Sequence, residues 1–187
     1  MPISTLDSRT ALVVIDLQNG ILAIPAAHPA SEVVARAAAL AAAFRRAGLP
    51  VVLVNVTGFA PGRTEAPRMA GSLPEGWADL APELGQEAGD YRVMKRSWGA
   101  FTGTGLDAYL KQQGVTQVVV AGVATSIGVE STARQAHELG FNVALAADAM
   151  TDRSAEAHAN SVERIFPRLG ETGTAQDVLG LLARRAP

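Results

Sequence analysis

The chain has 187 residues, enough to bury one hydrophobic core but too few for a second, so we expect a single domain over residues 1–187. Its 16 basic and 18 acidic side chains nearly balance, which argues against a nucleic-acid or anionic-membrane partner and favours a small molecule. The absence of cysteine excludes disulfides, thiolate metal sites and thiol nucleophiles. Without a secretory signal pattern or an apolar run of membrane-spanning length, the sequence predicts a cytoplasmic protein.

The first half of the chain predicts two buried strands, one helix and a long loop. Residues 10–17 are a continuous apolar run, typical of a strand covered on both faces of a parallel sheet. Apolar residues recur at helical spacing over residues 31–47, and residues 50–56 repeat the buried-strand pattern. Residues 57–90 are rich in glycine and proline, so we expect a binding loop or lid there.

The second half alternates strands with helices. In chain order these are a strand at 91–96, a helix beginning near Leu106, a strand at 116–123, a helix at 127–139, a strand at 141–148, a helix capped by Ser154, and a helix at 174–185. This alternation predicts a three-layer α/β/α sandwich with a mostly parallel sheet and right-handed crossovers.

Three polar features fall at the predicted carboxyl ends of strands, where open α/β sheets bind ligands. They are Asp16, Lys95 and the segment 123–128. Taken singly, each has an ordinary structural role: an aspartate that closes a turn, a lysine in a surface ion pair, and small residues that pack between a strand and a helix. Their coincidence at one sheet edge predicts a pocket that combines a carboxylate, an ammonium and backbone amides.

Three sequence segments carry a resemblance to a known family. The three segments are VVIDLQNG, VMKRSWGAFTGTGLDAYL and the run from VVVAGVATSIGVESTARQA to ALAADAMTD. They resemble segments of isochorismatase-like hydrolases and occur in the same order. The resemblance implies a six-stranded parallel sheet flanked by helices, with the first and fourth strands adjacent. It also implies a homo-oligomer, a dimer or a tetramer, that acts on a small molecule.

The resemblance assigns roles to particular residues. Asp16 and Lys95 would be catalytic, and Gly128 stands where most members carry a nucleophilic cysteine. Val123, Ala124 and Thr125 would form a turn with a cis peptide bond between Val123 and Ala124, which aims backbone amides at a substrate oxygen. The expected substrate contacts are Gln18, Phe59, Trp98, Phe101, Ser126 and Ile127, although the three aromatic residues could equally be core.

Gly128 is compatible with catalysis, because true isochorismatases also have glycine there. They protonate the terminal carbon of a vinyl ether with the aspartate before water adds, which requires no covalent intermediate. We therefore predict hydrolysis of a small molecule by the Asp16 and Lys95 pair without a cysteine, of the vinyl-ether or activated-water type. Those enzymes have Tyr-Ala-His where this chain has Ala-Thr-Ser at 124–126, so isochorismate itself is not the predicted substrate.

The protonation state of Asp16 stays open in the sequence. Burial favours the neutral acid, whereas a neighbouring Lys95 favours the carboxylate. As a carboxylate, Asp16 would act as a base on water, and the amides of Ala124 and Gly128 would stabilise an oxyanion.

Two other functions are compatible with the sequence. A family member without its nucleophile, natural or engineered, could bind a ligand without turnover. Alternatively, residues 124–128 fit a degenerate nucleophile elbow in which Ser126 is followed along the chain by Asp148 and His158, the order of a serine hydrolase. The serine reading is the less favoured one, because the chain is short for that fold and Asp16 and Lys95 would be unused.

No metal or cofactor is predicted. Some relatives hold a metal with an Asp-x-His motif after the second strand, but this chain reads Asn55-Val56-Thr57 there. Neither a dinucleotide-binding nor a phosphate-binding glycine pattern occurs at a strand-to-helix junction.

Overall fold

The computed structural model describes residues 3–65 and 72–185, and its centre is one six-stranded sheet in the order β3-β2-β1-β4-β5-β6. The strands are β1 (Thr10–Ile15), β2 (Val51–Val56), β3 (Tyr91–Lys95), β4 (Gln117–Val123), β5 (Asn142–Thr151) and β6 (Glu171–Gly173). All five pairings are parallel. The predicted six-stranded sheet and the adjacency of β1 and β4 are confirmed.

Helices cover both faces of the sheet. They are α1 (Asn19–Leu22), α2 (Ala30–Arg46), α3 (Leu106–Gln112), α4 (Glu130–Glu138), α5 (Ala155–Asn160) and α6 (Ala175–Ala183). One core cluster joins α2 and α6 to one face, and a second joins α3 and α4 to the other. Alternate residues of β1 enter the two clusters, which explains why its sequence is apolar without interruption. The three-layer arrangement is therefore as predicted.

Strand β5 is longer than predicted. The expected strand stopped at Asp148, but the observed one continues to Thr151 because Ala149 and Met150 extend the buried apolar run. Asp148 lies within the strand, and its carboxylate accepts a hydrogen bond from the Ala175 N–H at the start of α6. The pairing of β5 with β4 also shifts register between Val120 and Gly122.

The turn after β4 differs from the α-helix predicted at 127–139. Residues Thr125–Val129 form one π-helical turn before α4 begins at Glu130. The helix after β5, α5, ends at Asn160. It is capped by the Ser154 hydroxyl as predicted, but gives way to a second π-helical turn at Ser161–Ile165.

Among the described helices, none combines the length and the hydropathy that crossing a bilayer requires.

Candidate active site

The site lies at the carboxyl ends of β1, β3 and β4. Strand order reverses between β1 and β4, which is the position where open α/β sheets bind ligands. Asp16 directly follows β1, and the turn at residues 124–128 directly follows β4. Lys95 is the last residue of β3 and reaches across β2 to Asp16.

Asp16 and Lys95 form a buried ion pair. The Lys95 Nζ lies 2.7 Å from Asp16 Oδ2 and also donates to the Ser97 carbonyl at 3.1 Å. The side chains of Lys95 and Asp16 expose only 2% and 8% of their surface. Asp16 Oδ1, which is also buried, has no hydrogen-bond partner within the described residues. One carboxyl oxygen is thus held by lysine while the other is free.

The surroundings of Asp16 change its acidity. Burial raises the pKa of this carboxyl from 3.8 to about 6, although the charge of Lys95 and its hydrogen bond act in the opposite direction. Of the two effects that the sequence left in competition, burial is therefore the stronger. A carboxyl group with this pKa can donate or accept a proton near neutral pH.

Gly128 lies directly against this carboxyl. A Cβ placed on Gly128 would be 3.2 Å from Asp16 Oδ2, 3.0 Å from Ile15 Cγ2 and 3.3 Å from the Val123 carbonyl oxygen. These distances are tight but leave room for a small side chain if the neighbours move by a few tenths of an ångström. Without a side chain, the position leaves space beside the Asp16 carboxyl.

The turn between β4 and α4 contains unpaired amides. The peptide bond between Val123 and Ala124 is cis, at the position that the resemblance implied. The Ala124 carbonyl accepts hydrogen bonds from the N–H groups of Ile127 and Val129, both at 3.1 Å. Within the described part of the chain, the N–H groups of Ala124 and Thr125 have no acceptor. These two donors remain available to a bound oxygen atom.

Ser126 is not part of a serine triad. Its N–H and its hydroxyl both donate to Asp152 Oδ2, at 2.7 and 2.8 Å. His158 instead lies against Thr125, with 2.8 Å between His158 Nδ1 and Thr125 Oγ1. Asp148 caps α6 and pairs with Arg36, so the serine, histidine and aspartate of the predicted triad are not assembled.

The side chain of Gln18, a predicted substrate contact, is bonded to the protein backbone. This side chain is fully buried, and its amide group is bonded to backbone: Nε2 donates to the carbonyls of Val56 and Trp77, and Oε1 accepts from the Val56 N–H at 2.7 Å. Gln18 therefore ties the segment after β1 to the end of β2.

The predicted apolar contacts divide into two groups. Phe59, Trp98 and Ile127 expose 46%, 62% and 36% of their surface and follow the ends of β2, β3 and β4. Phe101 is half-buried and packs on Phe141, with 6.0 Å between ring centroids, so it belongs with the core.

Some site-adjacent residues were missed by sequence reasoning. Asp152 and the pair His28 and Thr151 lie beside the turn at 124–128, but their placement depends on the extension of β5 that the pattern did not predict. From the sequence, His158 has a role only as the histidine of the less favoured serine hydrolase. No local sequence pattern indicates these contacts.

Asn55 and the acidic and histidine side chains are the groups to consider as metal ligands. Asn55, where a metal ligand occurs in some relatives, is buried and donates from Nδ2 to the Ala78 carbonyl at 2.9 Å. Within residues 3–65 and 72–185, no three His, Asp or Glu side chains converge as metal ligands would.

Comparison with known proteins connects this geometry to a family. Residues 10–177 match the model of the Isochorismatase domain. The chain is 46% identical to the isochorismatase family protein YecD of Escherichia coli O157:H7 over 181 residues, covering 92% of this chain and 96% of that protein. It is 31% identical to maleamate amidohydrolase of Pseudomonas putida, covering 95% and 89% of the two chains. The solved structure of an isochorismatase family protein from Burkholderia thailandensis superposes with a TM-score of 0.93 at 42% identity, covering 97% of this chain and 99% of that one. The chain therefore belongs to the isochorismatase family, whose members are hydrolases.

Proposed function

We propose that this protein hydrolyses a small molecule by direct attack of water, with Asp16 as the proton-transfer group and without a covalent intermediate on the enzyme. The observation that carries the proposal is the state of the Asp16 carboxyl. Oδ1 is buried and has no partner among the described residues, and the pKa of the carboxyl is raised to about 6. The carboxyl lies against Gly128, which has no side chain to attack a substrate. Chemistry at such a carboxyl is proton transfer.

In the first step Asp16 acts as a general acid. Because Lys95 holds Oδ2, the proton resides on Oδ1 and points away from the ion pair. With a vinyl ether, that proton moves to the terminal carbon of the double bond, and the ether carbon becomes an oxocarbenium ion. Water then adds to this carbon and returns a proton to the Asp16 carboxylate. The resulting hemiketal breaks into an alcohol and a ketone, and Asp16 is again protonated.

Lys95 supports this cycle electrostatically. While Asp16 is ionised, the ammonium 2.7 Å away stabilises the carboxylate, so proton donation is less unfavourable than from an isolated buried acid. Lys95 would thereby keep the pKa of Asp16 low enough for the acid to give up its proton.

A second substrate class is favoured by the free amides of the turn. A carbonyl oxygen that accepts hydrogen bonds from the N–H groups of Ala124 and Thr125 would be stabilised as it gains negative charge. Asp16 would then act as a base on water and the substrate would be an amide or an ester. The similarity to maleamate amidohydrolase, an enzyme named for an amide, supports including this class.

The exposed side chains of Phe59, Trp98 and Ile127 suggest the apolar part of the substrate. They follow three strand ends that border the site, and exposed apolar groups grouped in this way commonly mark a binding surface. We propose that they contact an apolar portion of the substrate, while Asp16 acts on its reactive bond.

The test is turnover of a panel that contains isochorismate, aryl and alkyl amides, and simple esters. Wild type is compared with Asp16→Asn, Ser126→Ala and Gly128→Cys, with Asp107→Asn as a control in an exposed surface pair. We expect loss of activity in Asp16→Asn and retention in both Ser126→Ala and the control. Loss in Ser126→Ala alone would favour a serine enzyme. If wild type is inert and Gly128→Cys gains amidase activity, the chain is a binding protein derived from a cysteine hydrolase.

For a vinyl-ether substrate, turnover in H₂¹⁸O separates the mechanisms further. Protonation of the terminal carbon followed by addition of water to the ether carbon leaves the alcohol product free of ¹⁸O, which mass spectrometry detects. Attack of water at the carbon on the alcohol side of the ether would instead put ¹⁸O into the alcohol.

A further inference from the structure

A second polar cluster lies behind the turn at 124–128, on the side of β5 and α5. It contains Thr125, Thr151, Asp152, His158 and His28, and we call it the His158 cluster. Neither the family resemblance nor the proposed mechanism assigns a role to its histidines.

The contact between Thr125 and His158 anchors one end of the turn. Thr125 is fully buried, and its hydroxyl lies 2.8 Å from His158 Nδ1, with no other hydrogen-bond partner in the described part of the chain. A buried hydroxyl whose proton lacks an acceptor is costly. The arrangement that satisfies this proton has an unprotonated Nδ1 that accepts from the Thr125 hydroxyl.

Asp152 anchors the next residue of the same turn. Its Oδ2 accepts from both the N–H and the hydroxyl of Ser126. The segment that carries Asp152 is itself fixed, because its carbonyl accepts from the Ala27 N–H at 2.8 Å and the Thr151 hydroxyl oxygen accepts from the His28 N–H at 3.1 Å. Two consecutive residues of the turn are therefore held from this side, Thr125 by His158 of α5 and Ser126 by Asp152 after the end of β5.

We propose that His158 is a positioning residue: its neutral imidazole accepts at Nδ1 from the Thr125 hydroxyl and so holds the turn that presents the Ala124 amide and Gly128 to the substrate. The inference rests on the proposed function in that this turn borders the reacting bond. His158 touches Thr125 and acts through it.

The charges around His158 favour the neutral form. Burial and the neighbouring His28 ring, 4.7 Å away between centroids, lower the pKa of His158, while Asp152 acts in the opposite direction. Protonation puts a hydrogen on Nδ1, which reverses the bond and leaves the Thr125 hydroxyl proton without its acceptor. Activity is therefore expected to fall on the acidic side, with a midpoint below the ordinary histidine value of 6.5.

The kinetic test uses a conservative replacement. In His158→Asn the amide group occupies the place of Nδ1 but cannot be protonated at these pH values, whereas His158→Ala removes the contact. We expect His158→Ala and Thr125→Val each to lower kcat about tenfold with little change in KM, and the double variant to be no worse than either. His158→Asn should recover kcat to within about threefold and lose the acidic limb of the pH profile. His137→Ala, which changes an exposed helix residue, is the control and should behave as wild type.

A spectroscopic test stands apart from turnover. The chain has three histidines, so His28→Gln and His137→Ala identify all imidazole signals in long-range ¹H–¹⁵N spectra. At pH 7.5 we expect His158 to show an unprotonated Nδ1 whose shift changes in Thr125→Val but not in His137→Ala. A protonated Nδ1, or no response to Thr125→Val, overturns the inference even if Asp16→Asn is inactive. Equally, an unchanged kcat in His158→Ala overturns it, whereas retained activity in Asp16→Asn bears on the proposed function alone.

Discussion

Lys95 Nζ lies 2.7 Å from Asp16 Oδ2, and both side chains are almost completely buried. An apolar pair of similar volume is often at least as stable as a buried ion pair, whereas removal of one partner leaves an uncompensated charge. Stability therefore does not explain well why a buried ion pair lies at the ends of β1 and β3. Chemistry at the free oxygen of Asp16 explains it better.

The first prediction concerns stability against pH. Because the pKa of Asp16 is about 6 in the folded protein and 3.8 in an ordinary environment, the folded state binds the proton more tightly than the unfolded state. The contribution of the Asp16 carboxyl to the free energy of unfolding is thus fully present below pH 3.8 and is lost as the pH rises through about 6. Relative to Asp16→Asn, the free energy of unfolding of wild type should fall by about 2 kcal/mol between pH 4 and pH 7.5.

Urea unfolding of both proteins at several pH values measures that difference. Asparagine is the suitable replacement because Asp16 has a φ of 51°, a conformation that asparagine tolerates better than most residues. Parallel stability curves, or a wild type that gains stability with pH relative to the variant, would show that the pKa of Asp16 is not raised.

The second prediction concerns Lys95→Met. The charge and hydrogen bond of Lys95 lower the pKa of Asp16, so their removal should raise that pKa above about 6. The pH at which activity declines should move upward by a similar amount, measured from kcat/KM against pH. Lys111→Met is the matched control, because it removes a lysine from an exposed pair with Asp107. An unchanged profile in Lys95→Met would mean that the two groups are not coupled in solution.

The third prediction concerns the space beside Asp16. In Gly128→Ala the new methyl group would lie about 3 Å from Ile15 and Asp16, where water or substrate is expected to approach. We expect kcat/KM to fall at least tenfold while the unfolding free energy changes by no more than about 1 kcal/mol, because crowding and the higher helix propensity of alanine offset each other. In the control Gly180→Ala, the nearest contact of the added Cβ is an ordinary 3.7 Å, so activity should be unchanged. Full activity in Gly128→Ala would argue against a reaction at this space.

The fourth prediction separates structure from catalysis at Ser126. Ser126→Ala removes the hydroxyl bond to Asp152 but keeps the bond from the Ser126 N–H. We expect a loss of about 1 kcal/mol in unfolding free energy, with kcat/KM close to wild type. Thermal unfolding and turnover measured on the same preparation test both parts. If activity falls by more than the loss of stability accounts for, Ser126 takes part in the reaction.

The fold was predictable where burial alone determines it. Strands β1, β2 and β4 are buried along their whole length, so their sequences are mostly apolar, and Asp16 could be placed because it follows such a run. Lys95 ends the shorter strand β3, which the chain order of strands and helices also predicts. Strand β6 has only three residues, Glu171–Gly173, and no apolar pattern, so it was expected only from the resemblance.

Other features of the fold and of the site depend on contacts between distant segments. Gln18 is a predicted substrate contact, but its amide bonds to the backbone at the end of β2, 38 residues away. Asp152 and His158 reach the turn at 124–128 only because β5 extends beyond Asp148 and shifts its register against β4. Neither contact leaves a local sequence pattern.

The most direct test of the account is kcat/KM against pH for wild type and Asp16→Asn on the best substrate of the panel. If Asp16 is the general acid, wild-type kcat/KM should decline about tenfold per pH unit above about pH 6, and Asp16→Asn should lose activity by about 100-fold or more. Activity that instead rises through pH 6 would make Asp16 a base, and an Asp16→Asn variant as active as wild type would contradict the proposed chemistry altogether.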